Sequence, residues 1–246
     1  MDQASSPTPA TGAIETIRGE SVDQVQFKHY DLLLAATCVI VVCSNIIGAG
    51  KVADVGGFAF GAGVLFFPLS YVLGDVLTEV YGYKKARRAI MAATGAALFA
   101  AVMAGVITAM PPDGSWNSDL GGVTRQEAFA ANFGQAPRIV LASLVALFAG
   151  EIANAQVMAR MKARIENSPL WQRTIGSTAV GQAVDSLIFY PLAFLGVWEV
   201  SLVINVMITN YLLKVAWEAI LTPVTYRVVG ALKRSEGVDI YDDPGR

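Results

Sequence analysis

The sequence predicts an all-α polytopic membrane protein with six transmembrane helices. Three observations carry that class. Only 15% of the 246 residues are charged, and 54% are hydrophobic, where an ordinary soluble domain is about 25% charged. The apolar residues fall in long blocks, not in alternating or amphipathic patterns, and several blocks approach the ~20 residues that cross ~30 Å of hydrocarbon. The cations cluster on alternate connections between those blocks, as the positive-inside rule asks of a multi-pass chain.

Residues 1–29 are rich in Ser, Thr, Pro and acids and have no apolar core. That excludes a cleaved secretory signal and predicts a disordered cytoplasmic tail. The apolar blocks then run over 30–49, 58–80, 89–110, 138–158, 174–197 and 202–229, giving a transmembrane domain over 30–230. The last block is interrupted by Lys214 and Glu218. It ends near Pro223, whose missing N–H kinks or stops a helix. Residues 231–246 form a cytoplasmic C-terminal tail. The polar connection 111–137 opens on Pro111-Pro112-Asp113-Gly114 and faces outward.

The cations set the orientation. Lys84, Lys85, Arg87 and Arg88 lie between the second and third blocks. Arg160, Lys162, Arg164 and Arg173 lie between the fourth and fifth, and Lys233 and Arg234 follow the sixth, with Arg227 at its end. The opposite side has Lys51, Arg125 and Arg138. Both termini are therefore expected in the cytoplasm. Three spans plus three also allow a 3+3 inverted repeat. Asn45 and Asn154 occupy the first span of each half, and Asp75 and Asp185 the second. Pro68 precedes its Asp whereas Pro191 follows its own, and the repeat stays open.

Four spans carry polar residues at helical spacing. These are Tyr71, Asp75 and Thr78 or Glu79; Glu151, Asn154 and Met158; Gln182, Asp185, Ser186 and Phe189; and Asn210, Lys214 and Glu218. Residues three or four apart share a helix face. Such stripes can merely join helices, at about 0.6–2 kcal/mol per hydrogen bond. Lys214 can pair with Glu218 one turn on. Glu79 can be solvated near the cytoplasmic surface and pair with Lys84 or Arg87. Asn45 and Asn210 read as structural. Glu151 and Asp185 read as functional, because they lie deeper and helix joining rarely needs carboxylates.

Catalysis and ATP use find no support. Gly50-Lys51 lacks the upstream Gly and following hydroxyl of a phosphate-binding loop. His29 is the only histidine, which excludes a histidine-based triad or a multi-histidine metal site. Asp75 and Asp185 lack the paired motifs of an intramembrane aspartyl protease. Cys38 and Cys43 are spaced as neither a zinc nor a redox motif. The net charge of −2 gives no footprint for nucleic acid. The expectation is no enzyme, no metal and no cofactor.

Three segments carry a resemblance. Y-V-L-G-D-V-L-T-E-V-Y-G-Y-K-K-A-R-R-A-I covers residues 71–90, and G-E-I-A-N-A covers 150–155, followed by Arg160-Met161-Lys162. R-T-I-G-S-T-A-V-G-Q-A-V-D-S-L-I-F-Y-P-L-A-F covers 173–194. Together with Leu221-Thr222-Pro223 and Leu232-Lys233, they resemble the bacterial queuosine-precursor transporters, also called the vitamin-uptake transporter family, over roughly residues 30–243. The polar N-terminal extension and the outer loop 111–137 depart from the pattern.

The resemblance implies an inner-membrane importer of 7-deazaguanine precursors such as 7-cyano-7-deazaguanine (preQ0) and its aminomethyl relative (preQ1), working by alternating access. A guanine-like edge has N–H donors at N1 and N2 and an acceptor at O6. Carboxylates accept the first two, and an amide or ammonium donates to the third. The expected substrate site is therefore Glu151, Asn154, Gln182 and Asp185, supported by Asn45, Asp75, Phe189 and Lys214. Asp75 and Glu79 are the candidates for gating or proton coupling. The expected partners are the base and the lipid bilayer, with a homodimer left open. The alternative is a substrate-capturing membrane subunit that needs a separate ATPase.

Overall fold

The computed structural model describes residues 14–18, 25–47, 52–55, 58–61, 65–134, 137–165, 168–196 and 199–242. The expectations for 1–13, 19–24, 48–51 and 243–246 fall outside these residues.

The fold is helical, as its sequence predicts. The elements run β1 (Glu15–Arg18), α1 (Tyr30–Ile46), β2 (Val52–Val55), β3 (Phe58–Gly61), α2 (Phe67–Ala109), α3 (Arg125–Phe133), α4 (Pro137–Arg164), α5 (Leu170–Phe194), α6 (Val200–Glu236) and β4 (Val238–Tyr241). Two stretches, Val72–Ala109 and Ile139–Arg164, are long and apolar enough to cross a membrane, and Tyr30–Ile46 is a shorter apolar helix. The outer surface is correspondingly apolar: Phe99, Val102, Leu141, Leu187, Ile208 and Ile220 are all exposed. Asp75, Glu79, Thr174, Ser177 and Glu218 are buried instead. Polar groups inside and large hydrophobes outside suit a hydrocarbon solvent.

The α2 helix merges the expected second and third spans. Its only non-helical residue is Gly82, at φ 81° and ψ 170°. The cations after it were expected to form a connecting loop. They lie on helix instead, since Lys, Ala and Arg are good helix formers and only Gly82 breaks the pattern. Were α2 straight, Gly74 and Ala93 would be about 28 Å apart at 1.5 Å per residue. Yet Ser70, Gly74 and Leu77 line one small hollow together with Ala86, Ile90 and Ala93. The limbs 67–81 and 83–109 therefore fold back beside each other at Gly82.

Other boundaries shift too. Residues 58–61, expected within the second span, form β3, antiparallel to β2. The helix begins only at Phe67, with Pro68 in its first turn, a position that needs no N–H. The α6 helix runs through Pro223 to Glu236, as helices packed in membranes can. The outer connection contains α3, which opens on a capping box between Thr124 and Glu127. There Gln126 Nε2 donates to Thr108 O at 2.8 Å, tying α3 to the end of α2.

The expected N-terminal tail contains β1, and the expected C-terminal tail contains the end of α6 and β4. β1 pairs in parallel with β4, with Ile17 opposite Ile240. β4 alternates buried Val238 and Ile240 with half-buried Asp239 and Tyr241, and Val238 and Ile240 pack with Ile17, Val25 and Phe27. The pair sits where α2 turns. A Cβ on Gly82 would stand 2.7 Å from Ile240 Cγ2, and Asp242 Oδ2 accepts a hydrogen bond from Lys84 N at 2.9 Å. Asp242 thus caps the second limb at its open N–H end. Glu236, closing α6, accepts from the backbone N–H of Lys28 and of His29 and from Tyr81 Oη. The start of α1, the α2 turn and the end of α6 are bound at one end of the molecule.

Candidate functional site

Two groups of buried charge lie one above the other along the first limb of α2. The first centres on Glu79, which is 1% exposed. Its carboxylate accepts from Arg173 Nη2 (2.8 Å), Arg173 Nε (3.1 Å) and Lys233 Nζ (2.8 Å), with Lys162 Nζ at 3.5 Å. The partners come from α4, α5 and α6. They are not Lys84 or Arg87, the partners the sequence offered. Lys162 Nζ also donates to Glu79 O, Ile240 O and Asp239 Oδ1, each at 2.6 Å. Non-helical Gly82 leaves carbonyls of the preceding turn without their usual donors, and Lys162 supplies one. Arg173 Nη1 donates to Ser168 O, which fixes the guanidinium at the start of α5.

Asp239 completes this group from β4, binding Lys162 at 2.6 Å and Lys233 at 2.8 Å. Burial pushes its carboxyl upward, but the Lys162 and Lys233 ammoniums outweigh that and hold it below the ordinary Asp range.

The second group lies about 6 Å further along α2, one turn away. Asp75 is fully buried. Its polar neighbours are the Glu218 carboxyl from α6 and the Glu151 carboxyl and Asn154 amide from α4. Among the described residues, neither oxygen of Asp75 and neither of Glu218 receives a hydrogen bond. The same holds for Asn154 Oδ1, Gln182 Oε1 and Ser186 Oγ. Acceptors thus collect where α2, α4, α5 and α6 meet, with few donors for them. A buried polar atom without a partner costs about 1–3 kcal/mol, so this concentration calls for an occupant.

Close packing brings these residues together. A Cβ on Gly74 would stand 3.3 Å from Glu151 Oε2. One on Gly181 would stand 2.7 Å from Asn154 Cβ, and one on Gly150 would stand 2.9 Å from Asp185 Cβ. Glycine at these crossings lets backbones touch, as in small-residue packing of membrane helices. Glu151, Asn154, Gln182 and Asp185 therefore gather at one α4–α5 junction. Asp185 Oδ2 accepts from Lys214 Nζ at 2.7 Å. The Lys214–Glu218 pair that the spacing allows is not the one formed: Lys214 crosses to α5, and Glu218 turns to Asp75.

The hollow beside Glu151 and Gly74 is narrow and mostly apolar, lined also by Thr37, Val41 and Leu147. Asn45 stands apart from the acids. Its Nδ2 donates to Val41 O at 2.9 Å, and its Oδ1 accepts from Ser143 Oγ at 3.1 Å, joining α1 to α4. Phe189 packs edge-on against Tyr190 and Phe194, one turn beyond Asp185. Sequence reasoning left Glu218 out of the site. Its i+4 spacing from Lys214 suggested a local pair, and only the fold shows the two diverging. It also gave the buried cations Lys162, Arg173 and Lys233 a topological role alone. Tyr71 Oη, part of the expected stripe, lies outside the described side chains.

The family described as "Putative vitamin uptake transporter" matches residues 61–228. A relative from Bacillus subtilis named "Probable queuosine precursor transporter" is 32% identical over 188 residues, 75% of this chain and 78% of its own. The "Queuosine precursor transporter" of Escherichia coli is 29% identical over 138 residues, 56% of this chain and 57% of its own. No solved structure matches the chain. The matched residues hold both buried groups' α2, α4 and α5 members together with Lys214 and Glu218, and the chain belongs to this queuosine precursor transporter family of membrane proteins.

Proposed function

We propose that the chain imports 7-deazapurine queuosine precursors, of the preQ0 and preQ1 class, across the bacterial inner membrane by alternating access. The observation that carries this is the acceptor-rich junction of Glu151, Asn154, Gln182 and Asp185 inside an apolar exterior. A 7-deazaguanine edge brings several N–H donors, which such acceptors lack. Glu151 accepts N1–H and N2–H in parallel, Asn154 and Gln182 take the remaining donors or turn to O6, and Asp185 is held ready by Lys214. Phe189 offers a face or edge for the ring. The narrow hollow beside Glu151 widens as the helices part.

In this reading α1, both limbs of α2, α4, α5 and α6 make six crossings, and α3 lies at the outer surface. The cation-rich end with Glu79 and the β1–β4 pair faces the cytoplasm. With three crossings in each half, Asp75 and Asp185 would be counterparts in the proposed inverted repeat. The test is uptake of labelled 7-deazapurines by cells lacking de novo synthesis, with and without this chain, and then by liposomes holding the purified chain alone. Saturable uptake that Glu151→Gln and Asp185→Asn abolish is expected. Uptake of unrelated vitamins in place of deazapurines overturns the substrate, and a requirement for an added ATPase overturns the self-sufficient carrier.

A further inference from the structure

The import reading leaves open what drives accumulation, and the buried acids of α2 and α6 address that question. Asp75 and Glu218 face one another from different helices, both fully buried. No cation among the described residues reaches either. The nearest ammonium, Lys214, is taken by Asp185. Lys162, Arg173 and Lys233 bind Glu79, one turn along α2, and two of them also bind Asp239. The charged groups facing the pair are Glu151 from α4 and, behind it, the Asp185–Lys214 ion pair of α5 and α6. Glu151 adds a further negative charge. From α1, Thr37 and Val41 reach the hollow beside Gly74.

Two ionised carboxylates in contact, in a dry site and beside a third, repel each other strongly. One shared proton removes that repulsion. Asn154 Oδ1 and Gln182 Oε1 are more than nine-tenths buried and also lack donors, so the Asn154 amide is the neighbouring donor to Asp75, and it carries no positive charge to offset two carboxylates. Among the described residues no group of three or more His, Cys, Asp or Glu is arranged to hold a metal ion. A proton is therefore the occupant that this geometry favours.

We propose that Asp75 and Glu218 form the proton-carrying site of the transport cycle. Resting on the import reading, it assigns that reading's energy source. An O–H bond forms on the pair with a proton taken from hydronium in the outer water. The bond breaks to water on the cytoplasmic side as substrate leaves, so one proton crosses with one neutral base. Glu79 takes no part, because its carboxylate is already bound by three cations.

Two arms test this. In liposomes holding the purified full chain, an imposed pH gradient (interior alkaline) accumulates labelled preQ0 several-fold above its outside level, and a protonophore returns the ratio to one. Accumulation driven by a sodium gradient at equal pH overturns the proposal. The second arm needs no substrate. Infrared spectra of the purified chain at neutral pH show a carboxylic-acid C=O stretch that both Asp75→Asn and Glu218→Gln remove and Glu218→Asp merely shifts. A spectrum unchanged in all three variants overturns the shared proton, and if one variant fails to insert, the other two decide. Should no deazapurine move under any gradient, the import reading falls while the infrared arm still decides the pair.

Discussion

Gly150 and Gly181 meet across the α4–α5 crossing so closely that neither can carry a methyl group. A Cβ on Gly150 would stand 3.0 Å from Gly181 O, and one on Gly181 would stand 2.9 Å from Gly150 O. Those obstacles are backbone, which cannot rotate aside. Gly181→Ala should therefore cost about 1–3 kcal/mol through overpacking and separate Asn154 from Gln182. Gly176→Ala is the control, since its nearest neighbours are the flexible Met161 Cε and Sδ at 3.5 Å. Melting in detergent should fall for the first and hold for the second, and uptake should follow the same order.

Glu79 binds cations from three helices at once, so its removal takes the carboxylate from Arg173 and leaves Lys162 and Lys233 to share Asp239. Glu79→Gln should destabilise the chain by about 3–5 kcal/mol, the range for removing one partner of a buried ion pair. The expected result is poor accumulation of folded protein and a lowered melting temperature. A variant with wild-type stability but lost uptake would instead place Glu79 in the transport step.

The helical class was legible because blocks of apolar residues and sparse charge are properties of composition. The cation pattern also told correctly which connections gather at one end: Lys85, Lys162, Arg173 and Lys233 all bind there. Helical spacing paired Glu151 with Asn154 and Gln182 with Asp185, while the crossing at Gly150 and Gly181 that joins the two pairs is seen only in the fold. What remained hidden depended on partners far along the chain. Glu218 and Lys214 are one turn apart on α6 yet bind different helices, which no local spacing shows. Gly82 reads as one glycine among many until Ile240 and Asp242 are seen filling the bend. β1 and β4 are two four-residue segments more than 200 residues apart, and neither alone signals a strand pair.

The Asp185–Lys214 pair allows structure and function to be separated. Lys214→Met leaves the Asp185 carboxylate half-buried beside Glu151 without its ammonium, and should cost about 2–4 kcal/mol. The double variant Asp185→Asn with Lys214→Met removes both charges and should recover most of that stability. Uptake should remain lost in the double variant, because the carboxylate proposed to contact substrate is missing. Melting temperature and uptake measured on all three variants form the cycle. Recovery of uptake together with stability would make the pair purely structural.

Asp239 links the terminal strands to Lys162 and Lys233, and its depressed protonation gives the pH dependence a definite sign. A carboxyl held below its unfolded value, about 3.9 for Asp, binds fewer protons folded than unfolded. Its stabilisation is thus complete above that unfolded value and is lost as pH falls through the lower folded one. Asp239→Asn should lower stability at neutral pH by about 1–3 kcal/mol, the range for losing charged hydrogen bonds. It should also flatten the acid limb of the melting curve, because the variant no longer takes up that proton on unfolding. The stability difference between wild type and variant, followed from neutral pH into acid, should shrink steadily as the carboxylate is neutralised. A difference independent of pH would mean that the carboxylate charge contributes nothing and that β4 is held by Ile240 and backbone pairing alone.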